Sequence, residues 1–369
     1  MSTIQIVRTN PPYVATTLAI ASAVISGTNI VINGSGFGTK ATAKAQYWGN
    51  FETSVNPDGV LGVNSTWSYV NSVSNVVSQT LGTRTGAFLR SDASDPTQDA
   101  LGVAVYNLNI DKLFVSFKRY YGYNIVTNIG SLGFNNKAFR LWSDLGNAPY
   151  GNNTYFGWQG SEGTDSWRQY SEYTSDSTGN GAHGTQIARG TGKCVWQDSV
   201  WQNEQVIVSI SGIGDSTTIS EDGLMSWYRD GINSAIGTKL DATGQIFPAD
   251  GVTERKYQMR FTSTNTTVNR PYTYQKLFLD QISNGTGAGP LYVYYDDMYI
   301  DTSWCRAFVS KFSNVTSAMK DAEMQLPYAW SDGQISATYR TGDLSPASPL
   351  YLYVSNNVGS INTTGYTLL

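Results

Sequence analysis

The chain has 369 residues and a formal net charge of −4, with 14% charged and 13% aromatic residues, including 24 Tyr and 10 Trp, and 37 Gly. That charge balance, without any run of Lys or Arg, argues against a nucleic-acid-binding surface, which needs a basic patch. No long apolar stretch is present to form a transmembrane helix. The polar surface must therefore come from Ser, Thr, Asn, Gln and Tyr. Such groups suit uncharged hydrogen bonds and ring stacking with sugars or neighbouring subunits; a turn-rich all-β chain accounts for the same composition.

In chain order, residues 1–17 read as an arm that Pro11-Pro12 holds extended. The mildly apolar run Val14–Ile25 holds Thr16, Thr17 and Ser22, with no basic residue before it beyond Arg8, and reads as a strand or arm rather than an export leader. Asn29 to Asn33 alternates and closes on Gly34-Ser35-Gly36-Phe37-Gly38. There Phe37 is expected to pack beneath a turn that the glycines allow through positive φ and close backbone approach. Period-two segments follow at Gly86–Arg90, Ala100–Asn107, Leu113–Tyr121, Lys137–Trp142, Thr154–Gln159, Gln205–Ser211, Leu224–Asp230, Tyr257–Thr264, Tyr272–Asp280 and Leu291–Asp301. Turn signals such as Asn56-Pro57-Asp58-Gly59, Asp230-Gly231 and Ser283-Asn284-Gly285 separate them.

Between Gly160 and Thr191, turn chemistry without apolar periodicity predicts a long loop carrying Trp167, Tyr170 and Tyr173. A short helix is expected over Val315–Glu323. Trp330–Tyr339 then leads through a Gly/Pro turn to Leu350–Val354. These last strands are predicted to pair with Asn29–Gly38, closing a sandwich from the two chain ends around a larger insertion. Many short strands with Gly-rich turns make the fold class all-β.

Several strings carry a resemblance. Tyr294-Tyr295-Asp296-Asp297-Met298-Tyr299-Ile300-Asp301-Thr302-Ser303-Trp304 resembles the terminal strand of concanavalin A-like (laminin G/jelly-roll) domains of bacterial and phage proteins. Tyr47-Trp48-Gly49-Asn50-Phe51-Glu52 resembles their opening strand. Leu113–Phe117 and Lys137–Trp142 resemble interior strands, and Asp222-Gly223 with Trp227–Gly231 resembles a hairpin of the same domains. Gly34–Gly38 resembles the first-strand ending of an IPT/TIG-like immunoglobulin module. The resemblance implies an arm at 1–17, an Ig-like foot from 18–44 plus 309–369, and a concanavalin A-like β-sandwich (jelly roll) over 45–308. It supports a fold better than an activity.

The candidate carbohydrate-binding residues are Lys118, Tyr120, Arg140, Trp142, Trp158, Trp227 and Arg229. Rings of this kind, with Trp196 and Trp201, give sugars an apolar platform, and cationic or amide groups orient them; packing in a sandwich core is the alternative reading. Glu52, Asp297 and Asp301 are candidate oxygen ligands for Ca²⁺. Strand alternation puts Asp297 and Asp301 on one face and Asp296 on the other, and acceptance of backbone and Tyr hydroxyl hydrogen bonds explains the same carboxylates. No other cofactor is expected. Cys194 and Cys305 are too few for a disulfide framework or a Cys-based zinc site and read as buried thiols, although one bridge stays open.

His183 is the single histidine, in a Gly-Ala-His-Gly loop context, and no nucleophile elbow or phosphate loop occurs. Glu172, Glu204 and Glu221 are isolated, without the paired spacing of a glycosidase. A lyase site could be drawn from Lys118 with Tyr120, Arg140 with Trp142, and Gln202 with Glu204, but a solvent-facing strand carries such residues as well. No catalytic residue is therefore assigned.

A surface that looks extracellular without an export signal is expected of a bacteriophage virion protein, assembled in the host cytoplasm and displayed on the particle. The expected function is a non-enzymatic capsid decoration or fibre/tail component. Its expected partners are major capsid or tail proteins, further copies of itself, and cell-surface glycans, with neither nucleic acid nor membrane insertion. The alternatives are a polysaccharide lyase or glycoside hydrolase acting on host surface polysaccharide, and a bacterial surface adhesin.

Overall fold

A computed structural model describes residues 18–70, 74–92, 103–106, 108, 110, 112–122, 135–142, 153–159, 167–172, 185–190, 197–209, 223–230, 232–233, 256–257, 276–283 and 292–368. The first strands are β1 (Ala19–Ser26), β2 (Asn29–Ser35), β3 (Tyr47–Gly49), β4 (Tyr69–Val70), β5 (Asn75–Leu81), β6 (Arg84–Asp92), β7 (Val103–Val105) and β8 (Lys112–Tyr121). Then come β9 (Asn135–Trp142), β10 (Asn153–Gln159), β11 (Trp167–Glu172), β12 (Thr185–Gly190), β13 (Trp201–Ser209), β14 (Gly223–Arg229), β15 (Ile232–Asn233), β16 (Lys256–Tyr257), β17 (Lys276–Ser283) and β18 (Tyr292–Asp301). The last elements are β19 (Arg306–Ser310), α1 (Val315–Ala318), β20 (Glu323–Met324), β21 (Leu326–Trp330), β22 (Gln334–Thr338), β23 (Tyr351–Ser355) and β24 (Tyr366–Thr367). The protein is an all-β sandwich fold built of antiparallel sheets.

Two large sheets form the body. One runs β15-β14-β13-β8-β18-β6-β5, with β16 on β14 and β3 on β18; the other runs β12-β11-β10-β9-β17-β7-β4. Leu113, Val115 and Phe117 of β8, Val206 and Val208 of β13, and Val293 and Tyr295 of β18 meet Phe139, Leu141, Leu277 and Leu279 of the facing sheet. Alternation then sends Phe114, Ser116, Lys118 and Tyr120 to the other side of β8. Yet β8 and β18 are buried along almost their whole length. A strand buried on both faces must be covered twice, and the second cover comes from the chain ends.

Those ends form two small sheets, β1-β2-β22-β21 and β20-β19-β23-β24. Ile30 lies opposite Ala337 and Ile32 opposite Ile335, so Asn29–Gly38 shares a sheet with β22 as expected, whereas β23, also expected to pair there, joins β19 and β24 in the second small sheet. Between the two sheets pack Ile30, Ile32, Phe37, Val309, Ile335, Leu352 and Val354. Gly36 and Gly38 adopt φ of 72° and 71°, and a Cβ on Gly34 would stand 2.0 Å from the Ala19 carbonyl oxygen and 2.5 Å from the Phe37 ring. The turn is tied to the far chain end, where Gly38 N donates to Asp332 Oδ1 at 2.8 Å and Phe37 N to the Asp332 carbonyl at 3.1 Å. This terminal module rests on the outer face of the nine-stranded sheet. Phe114 and Tyr299 of that sheet pack with Phe308, Met319, Met324, Leu326 and Tyr353 of the module.

Some expected elements differ. The expected loop over 160–191 contains β11 and β12: Tyr170 pairs with Tyr155, and Trp167 with Trp158. β12 is the sheet's edge and β11 lies between it and β10; neither sequence carries an apolar alternation, so periodicity did not reveal them, and Tyr173 lies outside the described residues. The expected helix over 315–323 is one turn, α1, whose N-cap Asn314 Oδ1 accepts from Ser317 N at 2.9 Å. It stops because Glu323 is drawn into pairing with Val309. Strand β13 begins at Trp201, earlier than expected, because Trp201 to Asn203 pair with Tyr120 to Lys118. Of the segment expected over 257–264, only Tyr257 lies within the described residues, in β16. Cys305 is a buried thiol near the Phe37 and Thr39 carbonyls, and Cys194 lies outside the described residues.

Candidate functional site

The junction of body and module is organised by a bulge. In β18 the pairing with β8 slips between Asp296 and Tyr299, and Asp297 takes φ of 48°. Val293 and Tyr295 face the sandwich core before the slip, and Met298 and Ile300 face it after. The extra residue lets Asp296 and Asp297 turn to the same outer side, where both meet Arg84: Nη1 reaches Asp296 Oδ2 at 2.8 Å and Nη2 reaches Asp297 Oδ2 at 3.1 Å. The alternation expected for Asp296 is thus corrected by one inserted residue.

Lys118, from the centre of β8, points into the same place. Its Nζ contacts Asp297 Oδ2 at 3.0 Å, Asp343 Oδ2 at 2.9 Å and Glu323 Oε1. Arg340 Nη2 donates to Asp297 Oδ1 at 2.9 Å, and Arg84 Nε to Asp343 Oδ1 at 3.0 Å. The network joins three strands of the sandwich to the module's Glu323, Arg340 and Asp343. Four carboxylates (Asp296, Asp297, Glu323, Asp343) face three cations (Arg84, Lys118, Arg340).

The titration behaviour follows from that imbalance. Burial opposes the charge of Asp297, but Lys118, Arg340 and Arg84 together hold it well below the usual carboxylate range. Burial, then the neighbouring Asp297, pushes Asp296 up to about 8. Burial likewise pushes Glu323 up to about 7, against the pull of Lys118. For Lys118, burial disfavours the ammonium, yet Asp297 and Glu323 more than offset it and the pKa rises. The cluster keeps its lysine charged and favours protonation of Asp296 and Glu323.

The sequence-nominated residues are dispersed. Lys118 is consumed by three carboxylates. Tyr120 is buried against Trp201 and Tyr294, with ring centroids at 5.4 and 5.8 Å. Arg229 is buried opposite Glu204, the residue that Arg119 clamps with Nε at 2.8 Å to Oε1. Arg140 belongs to the second sheet, between the core residues Phe139 and Leu141, and therefore on that sheet's outer side. Lys118 and Arg140 thus stand on opposite outer faces of the sandwich and do not form one lyase site. Trp142, Trp158 and Trp227 lie on β9, β10 and β14; their side chains, with Trp196 and His183, lie outside the described residues.

The Ca²⁺ candidates do not converge either. Asp301 contacts Lys40 Nζ and accepts from Tyr299 Oη at 2.9 Å and from Ser303 N at 3.1 Å. Exposed Glu52 faces the Ala87 amide at 3.4 Å, while Asp297 serves the ion network. Among the described residues, no three His, Cys, Asp or Glu side chains cluster as a metal ion would need. Asp297 and Asp301 are paired with different cations, and Glu52 meets a backbone amide on another strand.

What the sequence did not disclose is a cleft of about 460 Å³ where body and module meet. Thr83, Arg84, Lys118, Trp201, Asn203 and Asp230 line it from the sandwich. Lys311, Lys320, Asp321, Glu323, Asp343 and Leu344 line it from the module. Trp201 is placed by its Nε1, which donates to the Leu81 carbonyl at 2.9 Å, and by the Arg84 guanidinium 5.1 Å from its ring. Asp230, at φ of 47°, accepts from Asn203 N at 3.0 Å and Gln202 Nε2 at 3.2 Å. These residues come from turns and strand ends far apart in sequence, and the Asp296-Asp297 doublet inside an otherwise apolar strand was the one local sign of the junction.

No family model and no curated protein matches the chain. Among solved structures, the chain is similar to alginate lyase Aly36B, at 11% identity over 71% of this chain and 98% of that one, TM-score 0.42. It is also similar to an endo-β-1,4-glucuronan lyase from the fungus Trichoderma reesei, at 12% identity over 64% and 92%, TM-score 0.36. The botulinum neurotoxin type G receptor-binding domain shares 10% identity over 84% of this chain and 72% of that one, TM-score 0.32.

Proposed function

We propose that the protein is a non-enzymatic, glycan-binding surface component of a bacteriophage particle, a capsid decoration or fibre/tail protein. The terminal module docks on other capsid or tail proteins or on further copies of the chain, and the sandwich is displayed outward. The observation that carries this reading is the use of the outer face of the nine-stranded sheet. A proton-transfer site would need Lys118 and Tyr120 of that face accessible, but Lys118 is spent on the module's Glu323 and Asp343, and Tyr120 is buried against Trp201 and Tyr294 of the sandwich itself. A lysine whose pKa is raised by three carboxylates is a poor base. The low-charge, Tyr- and Asn-rich composition favours contact with sugars through hydrogen bonds and rings.

The test uses the full chain on an array of bacterial surface glycans, alongside reducing-end and unsaturated-uronate assays on the same polysaccharides. Binding without turnover is expected. Turnover that disappears in Tyr120→Phe or Arg140→Ala would replace this reading with a lyase. Mass spectrometry of purified particles tests the location, and the chain's absence from them would overturn the virion assignment.

A further inference from the structure

We infer that the cleft between sandwich and module is itself a saccharide site, selective for an uncharged sugar unit. The inference rests on the glycan-binding reading and gives it a place and a ligand class. A volume of about 460 Å³ falls within the range of small-ligand pockets and suits the end of a glycan rather than a long chain. Its wall combines an indole with carboxylates and amines, the pairing that recognises a ring with one apolar face and hydroxyls around its rim.

Charge accounting sets the selectivity. Acidic and basic side chains line the cleft in equal number. Arg84 is held by Asp296, Asp297 and Asp343, and Lys118 by Asp297, Glu323 and Asp343. Lys311 stands 3.6 Å from Asp321 Oδ2, and exposed Lys320 is at the rim. A uronate or phosphate entering here would meet Arg84 and Lys118 already paired, with the carboxylates of Asp230 and Asp321 beside them, and only the exposed Lys311 and Lys320 as outer cations. A neutral sugar exchanges water for hydroxyl contacts and incurs no such repulsion.

Asp321 supplies the more specific signal. Its Oδ1 accepts from Ser310 Oγ, while buried Oδ2 makes no well-formed hydrogen bond and has only the more distant Lys311 ammonium, at 3.6 Å, as its cation. A sugar hydroxyl donating there would satisfy it. Trp201, on the opposite wall, offers the apolar surface. Because Trp201 belongs to the sandwich and Asp321 to the module, one ligand would touch both and tighten the junction.

The test probes the wild-type chain by calorimetry with neutral oligosaccharides (gluco-, galacto-, manno- and N-acetylhexosamine-based) and with oligouronates. Binding of a neutral oligosaccharide is expected, weakened roughly tenfold or more in Trp201→Ala and in Asp321→Asn, with a rise in Tm on saturation of the wild type. Since Trp201 also packs against Phe88 and Tyr120, the partly exposed Asp321 provides the variant less prone to misfold. Neutral-glycan binding unchanged in both variants would overturn the cleft assignment and leave the proposed function standing. Preference for oligouronates would overturn the selectivity. Wild type that binds no saccharide would sink both readings together.

Discussion

At the scale of single residues, the ion network makes two adjacent aspartates unequal. Asp296 sits beside Asp297 in the bulge of β18, yet burial and its neighbour push it up to about 8, whereas Asp297 is held charged by Lys118, Arg340 and Arg84. Asp296→Asn replaces a largely protonated group by an isostere, and little loss of stability at pH 6 is expected. Asp297→Asn leaves three buried or partly buried cations facing reduced charge, and a loss of about 3–5 kcal/mol is expected. Denaturant unfolding of both variants measures the contrast; equal losses would refute the asymmetry. Gly34 offers a second check at this scale. A methyl there has no room between the Ala19 carbonyl and the Phe37 ring, so Gly34→Ala should destabilise by about 1–3 kcal/mol, read as a fall in Tm.

At the scale of elements, legibility in the sequence tracked whether a signal was local. The alternation in Leu113–Tyr121 and Leu291–Asp301 located β8 and β18 to within a residue, and Gly34-Ser35-Gly36-Phe37-Gly38 showed its turn because steric demands act between neighbours. The pairing of chain ends was legible because both halves carry matched apolar alternation. Strands β11 and β12 were not, since their sequences carry no apolar alternation to read, although backbone pairing holds both. The bulge was misread for a related reason: alternation fixes faces only while the register is unbroken, and a doublet of acids in an apolar strand marks where it breaks. The ion network and cleft were illegible for a different cause. Lys118 and Glu323 are 205 positions apart, and Lys118 and Asp343 are 225. Nothing in either local sequence names its partner.

At the scale of the whole molecule, the excess carboxylate at the junction links its stability to pH. Asp296 and Glu323 have pKa values raised above their ordinary 3.8 and 4.5, to about 8 and about 7. The folded protein therefore retains protons that the unfolded chain has released, and stability declines as pH rises from the ordinary carboxylate range through 7 and 8. Burial raises Asp230, Asp301 and Asp321 in the same direction. On the acid side Asp297 acts oppositely: its lowered pKa gives stability that is lost as pH falls below 3.8. The expected profile is a Tm maximum in mildly acidic buffer and a fall towards pH 8. Glu323→Gln, which fixes the uncharged state against Lys118, should flatten the alkaline side. High salt should change the decline little, because the buried groups that cause it are poorly screened. A Tm that rises steadily from pH 5 to pH 8, or a decline unchanged in Glu323→Gln, would show that the junction carries no excess charge and that the module is held by its apolar seam alone.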